Sequence, residues 1–335
     1  MRFDTRAPRR CAIRGPIPAL LLLLALTAVP AHAEWLQGEQ AIMGTRCVVE
    51  LWSTDRARGQ AAIAAVFTEF QRIDALMSPY KPESELSRVN AAAATAPVRV
   101  SHELYDLLAT SIEYSKLTGG AFDVTYASVG YLYDYRARVH PDAEAIAAAL
   151  PGIDYRHIEL LPETRSVRFR RPGVRIDLGG IAKGHAVDRG IAALQGLGID
   201  RAMVNAGGDT RIIGDRLGRP WIVGIRHPDD EKKVVLRIPL TDTAMSTSGD
   251  YERYFEEDGV RYHHILDPKT GRSAGKLRSV TIIAATATRT DALTKSVFVM
   301  GAEDGIRFID TLGDVDAIAV TPEGKVLYSK GLAPP

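Results

Sequence analysis

The chain has 335 residues, 46% of them hydrophobic and 25% charged, with 42 Lys and Arg against 41 Asp and Glu. That profile suits a globular protein long enough for one large domain or two intimate ones, and it excludes disorder and coiled coil. Residues 1–33 carry five Arg and one Asp, so without them 37 basic residues face 40 acidic ones and the net charge is −3, which leaves no nucleic-acid footprint.

Those first 33 residues read as a cleavable secretory signal. Arg6, Arg9, Arg10 and Arg14 precede an apolar run over 19–29, and Ala31-His32-Ala33 forms an A-x-A cleavage site before Glu34. The apolar run is too short for a spanning helix. Arg9-Arg10 raises a twin-arginine route that Cys11-Ala12 matches poorly, so the choice between export routes stays open. Cleavage removes Cys11 and leaves Cys47 alone, so no internal disulfide can form. No cysteine follows the apolar run to carry a lipid, and a periplasmic protein without a stable membrane anchor is expected.

Residues 36–52 read as strand, rich in β-branched residues, with Gly44 as a bulge point. From 56 to 76, Ile63, Val66, Phe67, Phe70, Ile73 and Leu76 recur at three- and four-residue steps and predict an amphipathic helix, stopped by Pro79 and Pro82. Residues 83–90 carry too little apolar content for a core element. A second helix is expected over 102–116 behind a Ser101 cap, ending at Gly119-Gly120. The aromatic stretch 121–135 packs a core corner or stacks on a ring.

Short strands are expected over 157–178, with a turn near 162–164 and a strand signal at 174–178. Gly179, Gly180 and Gly184 follow, leading into a helix. Glycines there let the backbone approach a ligand, and helical N–H groups beyond them suit a phosphate. Further strands at 202–205, 210–213, 221–225, 234–238 and 244–247 follow at hairpin spacing, which favours antiparallel pairing over β-α-β units. The tail reads strand 279–284, helices 291–299 and 302–312, then strands at 317–320 and around Val326.

Residues 179–184 match neither G-x-G-x-x-G nor the P-loop pattern, and the chain has no H-E-x-x-H, paired C-x-x-C or G-x-S-x-G. Zinc chemistry and ordinary serine hydrolysis therefore lose support. Adjacent His263 and His264 on a strand would point to opposite faces, so at most one serves a given site. Asp291 opens a helix, where it could do no more than favour the positive end.

Eight stretches in order resemble the ApbE-type FAD:protein FMN transferase family. They are Met43-Gly44-Thr45, Met77 to Tyr80 with 84–90, Gly120 to Thr125, 177–184, 204–208, Ser248 to Tyr251, 262–271 and 291–301. The resemblance spans nearly all of residues 34–335, taken as one domain, and implies an α+β fold of largely antiparallel sheets packed with helices.

It also implies FAD contacts at Met43, Tyr80, Ala121, Phe122, Asp123, Asp177, Lys183 and Ile265. A Mg²⁺ ion would be held by the Gly180 carbonyl, Asp291 and position 295, where the family often has Thr or Ser and this chain has Lys295. The implied reaction moves FMN from FAD to a Thr or Ser hydroxyl of an acceptor protein, expected to be a redox-complex subunit, and releases AMP. His264 is the candidate base. A Mg²⁺-dependent FAD pyrophosphatase and a non-catalytic flavin-binding protein are the alternatives.

Overall fold

The computed structural model describes residues 1–2, 33–227 and 230–332, with side chains undescribed at 227, 230–233 and 235. The expected signal segment lies almost wholly outside them. The described residues from 33 to 332 belong to one unit. Among the described residues no helix is long and apolar enough to cross a membrane.

In chain order the elements are β1 (Glu34–Ile42), β2 (Thr45–Ser53), α1 (Arg56–Met77), α2 (Glu85–Ala92), β3 (Val98–Arg99), α3 (His102–Leu117), α4 (Ala127–Gly130) and α5 (Ala143–Ala149). Then come β4 (Ile158–Leu161), β5 (Ser166–Phe169), α6 (Ala182–Gly196), β6 (Ala202–Ala206), β7 (Asp209–Ile213), β8 (Trp221–His227), β9 (Asp230–Leu240) and β10 (Ala244–Gly249). The rest are β11 (Tyr254–Glu257), β12 (Val260–His263), β13 (Leu266–Asp267), β14 (Arg272–Ser273), β15 (Ser279–Ala284), α7 (Ala287–Met300), α8 (Ala302–Asp310), β16 (Asp316–Val320) and β17 (Val326–Tyr328).

Eight strands form the main sheet in the order β1-β2-β6-β7-β10-β15-β16-β17. Every neighbouring pair in it is antiparallel, as the hairpin spacing predicts. Strand alternation divides its side chains between two layers. Val49, Leu51, Val204 and Ile213 pack with α1 and α6, and Val280, Ile282, Ala317 and Ala319 pack with α7 and α8. Their neighbours Ile212, Met245 and Ile318 turn the other way, onto Trp221, Ile225, Ile238 and Leu240 of the β8–β9 ribbon.

Helix α1 begins where the Asp55 carboxylate accepts the Arg58 N–H at 2.9 Å. It buries Ile63, Val66, Phe67, Phe70 and Ile73, the residues whose spacing predicts the helix. It lies close against α6 because Gly190 leaves room, a Cβ there coming 2.9 Å from Val66 Cγ1.

Three local expectations fail. Residues 36–52 are two strands joined at Met43-Gly44, both with positive φ (55° and 68°), so the glycine makes a tight hairpin turn and not a bulge. Residues 85–92 are a helix after all, capped by Ser84, with Leu86 and Val89 fully buried. Two apolar residues suffice there because the helix is only eight residues long and shows one narrow stripe to the core. Residues 174–178 belong to no strand, although Val174, Ile176 and Leu178 are buried.

Candidate functional site

That last segment explains why 85–92 is folded. The Ile176 N–H donates to Asn90 Oδ1 at 2.8 Å and Asn90 Nδ2 donates to the Ile176 carbonyl at 2.8 Å. One carboxamide thus replaces a neighbouring strand. The Asp177 N–H donates to the Val124 carbonyl, and the chain enters the glycine turn held from two sides.

Asp177 Oδ1 accepts the Gly179 N–H at 2.6 Å, closing an Asx turn. Burial pushes the Asp177 carboxyl upward from its ordinary range, against the Gly179 N–H, the Tyr126 hydroxyl and the charges of Arg253 and Lys183. A Cβ at Gly180 would lie 3.3 Å from Phe122 Cε2 and 3.4 Å from Lys295 Cγ, so the turn is packed between those two side chains. Helix α6 then starts, but its first N–H groups are engaged. Ile181 and Ala182 donate to the Leu178 carbonyl and Gly184 donates to Asp291 Oδ2. The expected helix-terminus phosphate cradle is therefore in large part closed by the protein itself.

Four charged side chains meet beside this turn. Asp291 and Asp209 are at most 1% exposed. Lys183 Nζ lies 3.0 Å from Asp209 Oδ2 and 3.6 Å from Asp291 Oδ2, and it donates to the Gly179 carbonyl at 3.2 Å. Lys295 Nζ pairs with Asp291 Oδ1 and donates to Thr294 Oγ1 at 3.2 Å. Burial works against the Lys183 charge, but Asp209 and Asp291 outweigh it and hold the ammonium firmly protonated. Burial likewise opposes the Asp291 charge, and Lys183 and Lys295 overcome it and lower the carboxyl. Asp209 is raised, by burial and by the charge of Asp291, and its Oδ1 is buried without a hydrogen-bond partner.

Tight backbone contacts bring these groups together. A Cβ at Gly184 would sit 2.2 Å from the Ala287 carbonyl oxygen and 2.8 Å from Asp291 Cβ, so α6 and α7 touch there. The N-terminus of α7 is capped across the interface by Asp188, which accepts the Ala287 and Thr288 N–H groups at 2.9 and 2.8 Å. Asp291 is one turn further on and faces α6, so it is not a helix-end charge. Asp209 follows the Gly207-Gly208 turn of the β6–β7 hairpin, where Ala206 pairs with Asp209. Sequence reasoning missed Asp209, although a carboxylate directly after a two-glycine turn was a usable signal.

The two histidines divide as expected, for a different reason. His263 ends β12, and its ring bridges the Ala274 carbonyl at 2.8 Å and the Ile265 N–H at 3.3 Å, an arrangement that needs the neutral tautomer. His264 lies beyond the strand end, with Nδ1 buried and unpartnered. Burial, then the charges of Arg253, His263, Lys295 and Lys183, push its pKa down to about 3. His264 is thus buried within range of the lysine charges, whereas the His263 ring is tied to the backbone on both sides. Arg253, also missed, is exposed and donates to the Gly44 carbonyl at 3.4 Å, which brings the first hairpin turn to the same place.

The remaining expected residues have mixed surroundings. Tyr80 is 84% exposed, and Asp177 and Arg253 are close enough to act on its hydroxyl. Met43 sits in the hairpin turn, half-buried against the core. Phe122 is 4% exposed and meets Tyr114 edge-on at 6.2 Å, so it packs the core and gives the turn its floor. Both Asp123 oxygens are engaged, Oδ1 by Thr125 and Oδ2 by the Tyr155 N–H at 2.8 Å. Ala121 and Ile265 pack in the cluster under α7.

The expected Mg²⁺ ligands do not make a fitting donor set as they stand. Both Asp291 oxygens are engaged, by the Lys295 ammonium and the Gly184 N–H. Lys295 is a cation whose three N–H groups offer no lone pair to a metal. Among the described residues no group of three His, Cys, Asp or Glu could hold a metal ion. Of the expected ligands this leaves the Gly180 carbonyl, and Asp209 Oδ1 is a further carboxylate oxygen without a hydrogen-bond partner, so the protein alone offers few of the oxygens that a hard divalent cation takes.

Comparison with known proteins agrees with this architecture. The FAD:protein FMN transferase of Treponema pallidum is 35% identical over 313 residues, covering 88% of this chain and 86% of its own. The crystal structure of the ApbE protein from Thermotoga maritima superposes with a TM-score of 0.83 at 34% identity, covering 89% of this chain and 98% of that one. The flavin transferase ApbE from Vibrio cholerae gives 0.80 at 30% identity, with coverage of 89% and 98%. The profile of the ApbE family matches residues 43–319, and with these relatives beside it the chain belongs to the ApbE family.

Proposed function

We propose that the chain transfers FMN from FAD to a Thr or Ser hydroxyl of an acceptor protein and releases AMP. The observation that carries this is the pair Lys183 and Lys295 held on two buried carboxylates beside a glycine turn, next to a neutral histidine. The acceptor oxygen forms a bond to the FMN-side phosphorus as the pyrophosphate P–O bond breaks, and the electron pair of that bond leaves with AMP. Such a displacement needs positive charge on the pyrophosphate, an in-line nucleophile and a proton acceptor.

Toward the first need the two ammoniums, each paired with a carboxylate, supply N–H donors, and the exposed Arg253 adds a positive charge that acts at the same place. His264 is the group for the third; burial first, and then the neighbouring cations, hold its pKa down to about 3, and the pyrophosphate's negative charge offsets the second of these. Tyr80, exposed at the rim near Asp177, offers a ring to a flavin or adenine. Mg²⁺ is the cofactor the resemblance implies, with Gly180 and Asp291 as its holders, and when bound it would neutralise pyrophosphate charge. No step here depends on it, since the donor set does not fit.

Export by the signal over residues 1–33 would place the reaction in the periplasm, where a redox-complex subunit could serve as acceptor. Incubating the protein with FAD and such an acceptor domain should yield an acceptor band that fluoresces in a denaturing gel and carries the mass of an FMN adduct. FAD consumed to FMN and AMP with no labelled acceptor would instead favour the pyrophosphatase. FAD bound and left intact would favour a flavin-binding protein.

A further inference from the structure

We infer that the ammonium of Lys295 is the built-in cation of this centre, standing against Asp291 and beside Gly180 where a divalent ion would otherwise be needed. The inference rests on the proposed use of FAD and concerns what neutralises its pyrophosphate. The side chain is no stray surface lysine. It is 18% exposed, its stem runs along Gly180, and Nζ is directed onto a carboxylate that is itself 0% exposed. Thr294 fixes it further, accepting from Nζ at 3.2 Å and from the Ser248 hydroxyl at 2.9 Å, and donating to the Asp291 carbonyl at 2.7 Å.

Charge decides between the two cations. Asp209 and Asp291 are balanced by Lys183 and Lys295, so the four groups sum to zero and present no net negative charge to an arriving metal ion. A divalent ion would have to displace an ammonium from Asp291 and then remain near it, and like charges a few ångströms apart in a poorly solvated site repel strongly.

To an incoming pyrophosphate the neutral cluster offers N–H donors and no net field. Lys183 donates to Gly179 and lies 3.0 Å from Asp209 Oδ2, with Asp291 Oδ2 beyond hydrogen-bond reach at 3.6 Å, so it keeps an N–H for a phosphate oxygen. Lys295 has two partners, Asp291 and Thr294, and one N–H left for a phosphate oxygen. Replacing Lys295 by a neutral oxygen donor leaves two carboxylates against one ammonium, the balance that favours a divalent cation.

The test compares the wild-type protein with Lys295→Thr and Lys295→Gln, without acceptor and without turnover. Mn²⁺ binding is followed by the loss of the free-ion electron paramagnetic resonance signal, and FAD affinity by flavin fluorescence in EDTA and with Mn²⁺ added. Wild type should hold FAD in EDTA, gain little from Mn²⁺, and bind Mn²⁺ at least about a hundredfold more weakly than Lys295→Thr, the direction set by one removed positive charge. Lys295→Thr should lose FAD in EDTA and recover it with Mn²⁺. One tightly bound Mn²⁺ per wild-type chain, or wild-type FAD binding abolished by EDTA, would overturn the inference. That measurement needs no variant. Failure of FMN transfer itself would show only in the acceptor assay and leaves the Mn²⁺ comparison readable.

Discussion

Gly184→Ala probes the junction that builds the site. The added methyl would sit 2.2 Å from the Ala287 carbonyl oxygen, 2.6 Å from its carbon and 2.8 Å from Asp291 Cβ. Two of those three atoms are backbone, so no rotamer change relieves them and α6 must move away from α7. Alanine gains about 1 kcal/mol over glycine in a helix interior. Against this, overpacking costs about 1–3 kcal/mol, and weakening the Gly184 N–H to the buried, charged Asp291 costs a further 1.5–3 kcal/mol or so.

The clash outweighs the propensity, and a net loss of about 2–4 kcal/mol is expected. At roughly 2–4 °C per kcal/mol for a chain of this size, the melting temperature should fall by about 5–15 °C. FAD binding should weaken with it, because Lys183 and Asp291 are on the two helices that separate. Thermal unfolding followed by circular dichroism, with Gly190→Ala as comparison, is the assay. At Gly190 the nearest atoms are the ends of Val66 and Phe70 at 2.9 and 3.1 Å, which can yield, so that variant should lose less. A Gly184→Ala protein that melts with or above wild type would refute the close contact between α6 and α7.

Asp291→Asn should lower turnover about a thousandfold while part of the FAD affinity remains, since one carboxylate can no longer hold two ammoniums; unchanged single-turnover rates would exclude Asp291 from the site. Tyr80→Ala should weaken FAD binding severalfold with stability altered by no more than about 0.5 kcal/mol, because the ring is 84% exposed; equal fluorescence titrations for variant and wild type would remove Tyr80 from the flavin contacts. Acid should also destabilise the fold. His264 and His263 are pushed down to about 3 and about 4, from 6.5 for an ordinary imidazole, so the unfolded chain binds protons that the folded chain refuses. The contribution of these two groups is then level above pH ~6.5 and falls as pH drops toward 4. Urea midpoints between pH 4 and 8 should show that slope, and an equal slope in the His263→Gln, His264→Gln double variant would contradict it.

The periodicity of Ile63, Val66, Phe67, Phe70 and Ile73 was enough for α1, and hairpin spacing was enough for an antiparallel sheet, because burial on one face imposes a repeat on each element by itself. The strand signal at 174–178 misled for the same reason. Buried alternating residues need some partner for their backbone, and here the partner is the Asn90 carboxamide from 86 residues earlier in the chain, which no local pattern encodes. The Glu83 to Asn90 stretch looked too polar for a core element until that contact gave it a place.

At the site, the chain alone shows a glycine turn flanked by Asp177 and Lys183, and it marks Asp291 and Lys295 as one turn apart on a helix. That one-turn spacing is local, and the i,i+4 geometry already allows the two side chains to meet. What it does not contain is Asp209. Only the closing of the β6–β7 hairpin onto the α6–α7 contact sets that carboxylate against Lys183, and with it each of the two ammoniums has a buried carboxylate of its own. The residue types were legible, whereas their pairing became fixed when four separate elements packed into one buried space where each charge must find its opposite.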